Sequence, residues 1–408
     1  MMKMINTRKA LLPLIIGLSL SPLAHSIDFK VADTDLKVGG YIKGMATFDS
    51  NGTVTAPYNG HLYSVYGTPI DGTANADTNH FNMTARESRV YLKTKTDSDI
   101  GTISSHVEGD FFADIDSDGP TWSNSHGFRI RHAYINIDRE DSSILVGQTW
   151  TAFMDFASSL PSMDFSSDPG NSFIRQAQVR YQYNLSPGQY LMASLENPAY
   201  GMANIGGTPI RYVNLDTNGN GVHDARSEET LPDLVVKYFL AKGPVTISPR
   251  AVVRQFDLGG QKSTGYGFAL GASVKFGQGH KAVLNYTIGD GIGRYAGLGF
   301  NAGAGIDNTG NIETLGYQSL TGGIMFALSP SIRWQVGAGY SEQDEDAFDS
   351  GTLTAMANKT AFSWHTNLYW DITKDLQFAV GTRFGDVENM GSAEGDMVRT
   401  QSYLRYTF

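Results

Sequence analysis

The 408 residues contain no cysteine. That excludes a disulfide framework, thiolate metal sites and nucleophilic cysteine chemistry. Long apolar runs are also missing. Beyond the first 26 residues, no window approaches the ~18 consecutive apolar residues that a membrane-spanning helix needs. There is no excess of positive charge: 31 Lys and Arg stand against 41 Asp and Glu, a formal net charge of −10. That is the wrong sign for a nucleic-acid partner. Catalytic signatures are absent too. The chain has no Gly-x-Ser-x-Gly elbow, no His-x-x-x-His pair and no phosphate-binding loop. Its nine His residues are scattered, so the sequence gives no support for an enzyme.

What the chain does have begins with an export leader. Lys3, Arg8 and Lys9 form a basic start, Ala10 to Leu20 is mostly apolar, and Ala24-His25-Ser26 puts small residues at the −3 and −1 positions of a cleavage site. The pattern reads as a secretory signal peptide over residues 1–26, with one domain over 27–408. Glycine is abundant, with 46 residues, and Phe and Tyr number 21 and 20. Export, abundant Gly and aromatics, and no apolar run together fit a transmembrane β-barrel.

The informative signal is a period of two, because a strand points successive side chains to opposite faces. Ser402, Leu404, Tyr406 and Phe408 alternate with Gln401, Tyr403, Arg405 and Thr407. Leu376, Phe378, Val380 and Phe384 alternate with Gln377, Ala379, Gly381 and Arg383, and Ile332, Trp334, Val336 and Tyr340 alternate with Arg333, Gln335, Gly337 and Ser341. A soluble sandwich would alternate as well. Here the apolar face carries aromatics near strand ends, as an interfacial girdle does: Phe276, Trp334, Trp370, Phe384 and Phe408.

The connections also alternate between short and long. Gly, Pro, Ser and Asp turns such as Ser186-Pro-Gly188, Lys242-Gly243 and Ser329-Pro330 separate strands on one side. Stretches such as 49–82, 150–172, 198–230 and 291–313 separate them on the other. The expected fold is all-β: a transmembrane antiparallel barrel of about 16 strands, with short periplasmic turns and long extracellular loops. Such a lumen is wide enough for water and solutes. Two places read less cleanly. Phe128 to Ile137 changes apolar parity around Arg131-His132, which suggests a bulge. Gly39-Gly40 makes weak lipid-facing surface, which suits either contact with neighbouring subunits or an imperfect strand.

Several stretches resemble the DcaP-like trimeric porins of Gram-negative bacteria. They are Asp35-Leu-Lys-Val-Gly-Gly-Tyr-Ile-Lys43, Ala85-Arg-Glu-Ser-Arg-Val-Tyr91, Arg129-Ile-Arg-His-Ala-Tyr134, Leu145-Val-Gly-Gln-Thr-Trp150 through Asp155, and Phe173-Ile-Arg-Gln-Ala-Gln-Val-Arg-Tyr181. The Gly-Gln-Thr-Trp segment is the most specific. The resemblance implies a homotrimer of 16-stranded barrels in the outer membrane, in contact with lipid and lipopolysaccharide, admitting small anionic solutes such as dicarboxylates. Some members carry a helical extension before the barrel. Here Asp35 follows almost directly after the cleavage site, so a function tied to that extension is in doubt.

Porin selectivity is electrostatic and steric at the narrowest point. Strand parity puts Lys43, Arg89, Arg131, Arg180, Arg250, Arg254, Arg333 and Arg383 on the polar face as candidate pore-lining, anion-binding residues. Fewer acids share that face: Glu87, Glu108, Asp110 and Glu196. An Arg-rich lumen attracts anions and pairs bidentately with carboxylates. The alternative is that these Arg and Glu residues pair with one another and brace the wall. Arg250 and Arg254, ~13 Å apart along one strand, would offer an anion successive partners. The third long loop, from Trp150 to Ser172, is the candidate constriction. It carries Phe153, Asp155, Phe156 and Asp164; folded inward, Asp155 and Asp164 either add negative charge near the pore or hold an opposing Arg, and an outward surface loop is the alternative. Asp216, Asn218, Asn220 and Asp224 are spaced as the start of a calcium loop, and an Asx- and Gly-rich turn explains the same letters. Apart from that structural calcium, no cofactor is required. The leading function is passive diffusion of small anions. A non-selective or sugar-admitting porin and a loop-based adhesin or receptor barrel remain the alternatives.

Overall fold

The computed structural model describes residues 27–54, 65–113, 126–163, 168–198, 230–258, 261–297, 300, 303–309 and 311–408. The leader, Asp164 and the calcium-loop candidates Asp216, Asn218, Asn220 and Asp224 lie outside the described residues. Sixteen strands close into an antiparallel barrel. They are β1 (Thr34–Ser50), β2 (His80–Thr84 continuing as Arg89–Ser98), β3 (Gly101–Ala113), β4 (Gly127–Asp138), β5 (Ser142–Trp150), β6 (Arg175–Ser186), β7 (Gln189–Glu196), β8 (Asp233–Lys242), β9 (Val245–Leu258), β10 (Gln261–Phe276), β11 (His280–Asp290), β12 (Gly316–Ala327), β13 (Ile332–Gln343), β14 (Asn358–Asp371), β15 (Leu376–Asn389) and β16 (Glu394–Thr407). Closure is made by β16 on β1, with Thr407 opposite Tyr41 and Val398 opposite Ser50. A further strand, Ile27–Val31, folds back on the first residues of β1, below the end of β16.

The expected alternation holds around the wall. In β10, Tyr266, Phe268, Leu270 and Phe276 are exposed toward the membrane. In β14, Phe362, Trp364, Leu368 and Trp370 are exposed in the same way. In water these rows would be a liability, whereas in a bilayer they are the lipid-facing surface of a closed sheet that leaves no unpaired edge. The short connections are tight turns. Gly188 and Gly243 take φ of 77° and 59°, left-handed values that a Cβ would penalise.

The parity change in β4 is a bulge. His132 stands opposite Glu108 and Ile130 opposite Gly109, which leaves Arg131 as the extra residue. Arg131 and His132 therefore both turn inward. β2 is also irregular. It breaks between Thr84 and Arg89, where Ser88 N donates to the Ala85 carbonyl (3.0 Å) and Phe111 N donates to the Arg86 carbonyl (3.1 Å).

The lumen is not uniformly open. Parts of loop 1 (51–79), loop 3 (151–174) and loop 6 (291–315) fold inward and bury a hydrophobic cluster inside the barrel. Val65 and Tyr66 from loop 1, Phe153 from loop 3, and Ile292, Tyr295 and Phe300 from loop 6 meet Val235, Val252 and Tyr317 of the wall. Phe300 packs edge-on against Tyr66 and Tyr317, at 4.9 and 5.5 Å between ring centroids.

Candidate functional site

Loop 3 leaves the wall at Trp150, crosses the lumen and returns at Arg175. The polar contacts that hold it inward are distributed along its length. Ala152 N donates to the Glu196 carboxylate (2.8 Å). The Asp155 carboxylate lies 3.5 Å from Arg250 and 3.9 Å from Lys237, and Lys237 Nζ donates to the Met154 carbonyl (2.7 Å). Farther along, the Pro161 carbonyl accepts from Gln335 Nε2 (2.7 Å) and Tyr369 OH (3.1 Å). Lys43 donates to the Met163 carbonyl and pairs with Glu87 at 2.5 Å.

The far end is latched by one carboxylate. Asp168 Oδ1 accepts from Ser363 Oγ (3.2 Å) and Arg383 Nη1 (3.0 Å) and lies 2.9 Å from His365 Nδ1. Burial pushes the Asp168 carboxyl up. The charges of His365 and Arg383, with hydrogen bonds from His365 and Ser363, outweigh burial and hold it below the ordinary carboxylate range.

Glycines on the inner face make room for this crossing. A Cβ on Gly339 would come within 2.7 Å of the Pro169 carbonyl and 2.8 Å of Asp168, and one on Gly337 within 2.6 Å of the His365 ring. Loop 6 is tied in by a second carboxylate cluster. Tyr295 OH lies 2.9 Å from Asp233 and 3.2 Å from Glu196, and accepts from Gln176 Nε2 (2.9 Å).

Opposite the loop, the β2 to β6 wall gathers arginines. Arg129 grips Asp110 with two bonds (3.0 and 2.9 Å), and Arg131 reaches Glu108 (2.7 Å) and Asp110 (2.8 Å). Arg89 lies 3.6 Å from Glu108. Among the described residues, Glu108 and Asp110 thus bridge these three guanidiniums, with a fourth beside them. Arg175 lies over the Trp150 ring at 4.5 Å, within electrostatic reach of Arg131, Arg129 and Arg89. Among the described residues it makes no salt bridge, and its Nη1 has no hydrogen-bond partner. Arg405, over the Tyr41 ring at 5.6 Å, makes no salt bridge among them either. Phe156 of loop 3 projects toward this wall, 56% exposed and edge-on to Trp150 at 5.5 Å.

The eight sequence-derived cations all belong to the inner face, but they do different things there. Arg89 and Arg131 stand in the arginine cluster. Arg180 donates to Gln178 (2.9 Å) and to the Trp150 carbonyl. Arg333 pairs with Asp371 at 3.0 Å. Lys43 and Arg383 brace loop 3. Arg250 and Arg254 do not form the row of successive open partners expected from their spacing. Arg250 is buried against Asp155 and the Phe153 ring. Arg254 lies beneath loop 6, 3.6 Å from Asp233, and donates to the Ile292 carbonyl (3.3 Å). Strand parity gives the face of a side chain but not the loop that covers it. Asp155 takes the bracing role, and Phe153 belongs to the inner hydrophobic cluster rather than the passage. Arg175, Asp168 and His365 escaped sequence reasoning. Arg175 falls at a loop–strand junction, where parity is undefined. The run of inward-parity glycines in β13 was the one legible sign of something packing there.

The sequence profile of the DcaP outer membrane protein family matches residues 22–408. No curated protein matches the chain. Among solved structures, the outer membrane channel DcaP of Acinetobacter baumannii is similar at a TM-score of 0.76 and 23% identity, over 95% of this chain and 100% of that one. OmpF of Salmonella typhi, in complex with daunomycin, is similar at 0.58 and 12% identity, over 94% and 100%. An anion-selective porin from Comamonas acidovorans is similar at 0.57 and 12% identity, over 92% and 100%.

Proposed function

The chain belongs to the DcaP outer membrane protein family, and from that premise we propose that this outer-membrane porin admits small anionic solutes, dicarboxylates among them, by passive diffusion. The observation that carries the reading is the imbalance of charge opposite loop 3. Arg89, Arg129, Arg131 and Arg175 gather about Glu108 and Asp110 on the inner face of the β2 to β6 wall. In a narrow passage with low-dielectric walls, such an excess concentrates anions and repels cations. Arginine forks suit carboxylates. Rings also line this wall, from Phe156 and Phe173 through Trp150, His132 and His106 to Tyr134 and Tyr91, so the anion reading rests on the charges and not on a lack of aromatic surface.

A homotrimer is part of the proposal. The break in β2 puts irregular backbone at membrane depth, which is tolerated where protein rather than lipid covers it. The β1 to β3 wall is therefore the expected subunit interface. Native mass spectrometry in mild detergent tests this, and a monomer under all such conditions contradicts it. The solute class is tested by swelling of proteoliposomes in isosmotic succinate, a neutral sugar of similar size and a diamine. The reading requires succinate to enter fastest. Equal rates for the neutral sugar and succinate would favour the non-selective alternative.

A further inference from the structure

Below the arginine cluster, the inner face of the barrel carries a second, separate group of cations. Ile27–Val31 folds back on β1 and sets Asp28 opposite Lys37 and Lys30 opposite Asp35. On its other side, β1 sets Lys37 directly opposite Lys93 and Asp35 opposite Lys95 of β2. β2 continues the first row with His106 of β3 opposite Lys93. Lys37 shares the inward parity of Lys43, so these rows face the lumen at its short-turn mouth, the periplasmic side of this fold. Together they line a concavity of about 710 Å³.

The charges in this concavity are poorly matched. Asp28 lies 3.9 Å from Lys37 and Asp35 lies 4.0 Å from Lys30, with all four side chains well exposed. Such pairs are screened by solvent and contribute little. Lys93 and Lys95 make no salt bridge among the described residues, and Lys93 lies over the Tyr91 ring at 4.9 Å. Like charges directly opposite on a sheet repel, with Cβ atoms only ~4.5–5.5 Å apart. An anion with two or more charged oxygens would turn that repulsion into attraction.

We propose that this concavity is a binding site for small multivalent oxyanions, whether polycarboxylates or phosphate compounds, with Lys37, Lys93 and Lys95 as the principal donors. It is a distinct site from the constriction. It should give the channel a sidedness, with multivalent anions retarding current more strongly when added from the short-turn side.

The test is calorimetric titration of the intact detergent-solubilised protein at low ionic strength, with inorganic pyrophosphate and citrate as separate probes. Wild type should bind at least one probe, and the probe that binds identifies the source of the oxyanion. The K37Q/K93Q variant should bind it about tenfold or more weakly, the loss expected for hydrogen bonds to charged groups. A Lys262→Gln variant, at an exposed cation outside both the concavity and the arginine cluster, should bind it as wild type does, which shows that the loss is local and not one of overall charge. A thermal melt supplies the second reading. Without anion the K37Q/K93Q barrel should melt above wild type because the repulsion is gone, and it should gain nothing from the probe. No binding by wild type, or equal binding by wild type and K37Q/K93Q, overturns the proposal.

Discussion

Replacing Asp168 with Ala should release loop 3 from the far wall. In wild type this one carboxylate meets Ser363, His365 and Arg383, and all three partners are buried, Arg383 to 1% exposure. Removing it takes away the loop's anionic partner for a buried guanidinium, a loss that costs ~3–5 kcal/mol. At ~1.36 kcal/mol per factor of ten, the equilibrium between seated and released loop shifts by roughly two to four orders of magnitude. The barrel ladders are untouched, so assembly should survive. Single-channel recording should show a larger and noisier conductance. A non-specific protease should cut between residues 151 and 174, where wild type resists. Wild-type conductance and resistance in a correctly assembled D168A barrel would refute the latch. The same carboxyl sets a pH dependence. Its value in the folded protein is held below the ordinary one, so the latch is complete above ~pH 4 and fails as pH falls through the lower folded value. Conductance should stay flat from neutral pH to about 4 and rise only below that.

Three further outcomes follow from the same geometry. Gly339→Val places a branched side chain against Pro169 and Asp168, so it should reproduce the protease sensitivity of D168A, and continued resistance would show that loop 3 does not depend on that clearance. Tyr295→Phe removes the hydroxyl that lies between the buried carboxylates of Asp233 and Glu196, and should destabilise the loop 6 seat by ~1–3 kcal/mol, seen as a lower temperature for loss of the folded band on gels. An unchanged temperature would remove that cluster from the account. Glu108→Gln takes one of two carboxylates from the arginine cluster and should raise the anion-to-cation permeability ratio, whereas a fall would contradict the charge argument.

The wall of this protein was more legible than its contents. Period-two alternation is a local property, and lipid on one face with water on the other enforces it strand by strand. That is why β10, β13, β15 and β16 could be read directly, and why the parity change at Arg131-His132 announced a bulge. The loops obey no such period. Loop 3's inward course was expected from its length and position, but its anchors, Asp168 with Ser363, His365 and Arg383, join residues far apart in sequence that no spacing rule connects. Arg250 and Arg254 show the resulting error, since their face was read correctly and their cover was not. The inward glycines Gly337 and Gly339 were visible as gaps in an otherwise polar row, and their meaning appeared only when Asp168 and Pro169 were found seated against them.

The central claim is that an excess of arginine over carboxylate opposite loop 3 sets the preference for anions. Reversal potentials in a planar bilayer under a potassium chloride gradient, at low salt where screening is weakest, test it most directly. Wild type should give a potential on the anion-selective side. Arg175→Gln, which removes a cation that makes no salt bridge among the described residues, should move that potential toward zero without changing assembly. A cation-selective wild type, or an R175Q channel whose reversal potential equals that of wild type, would contradict the account.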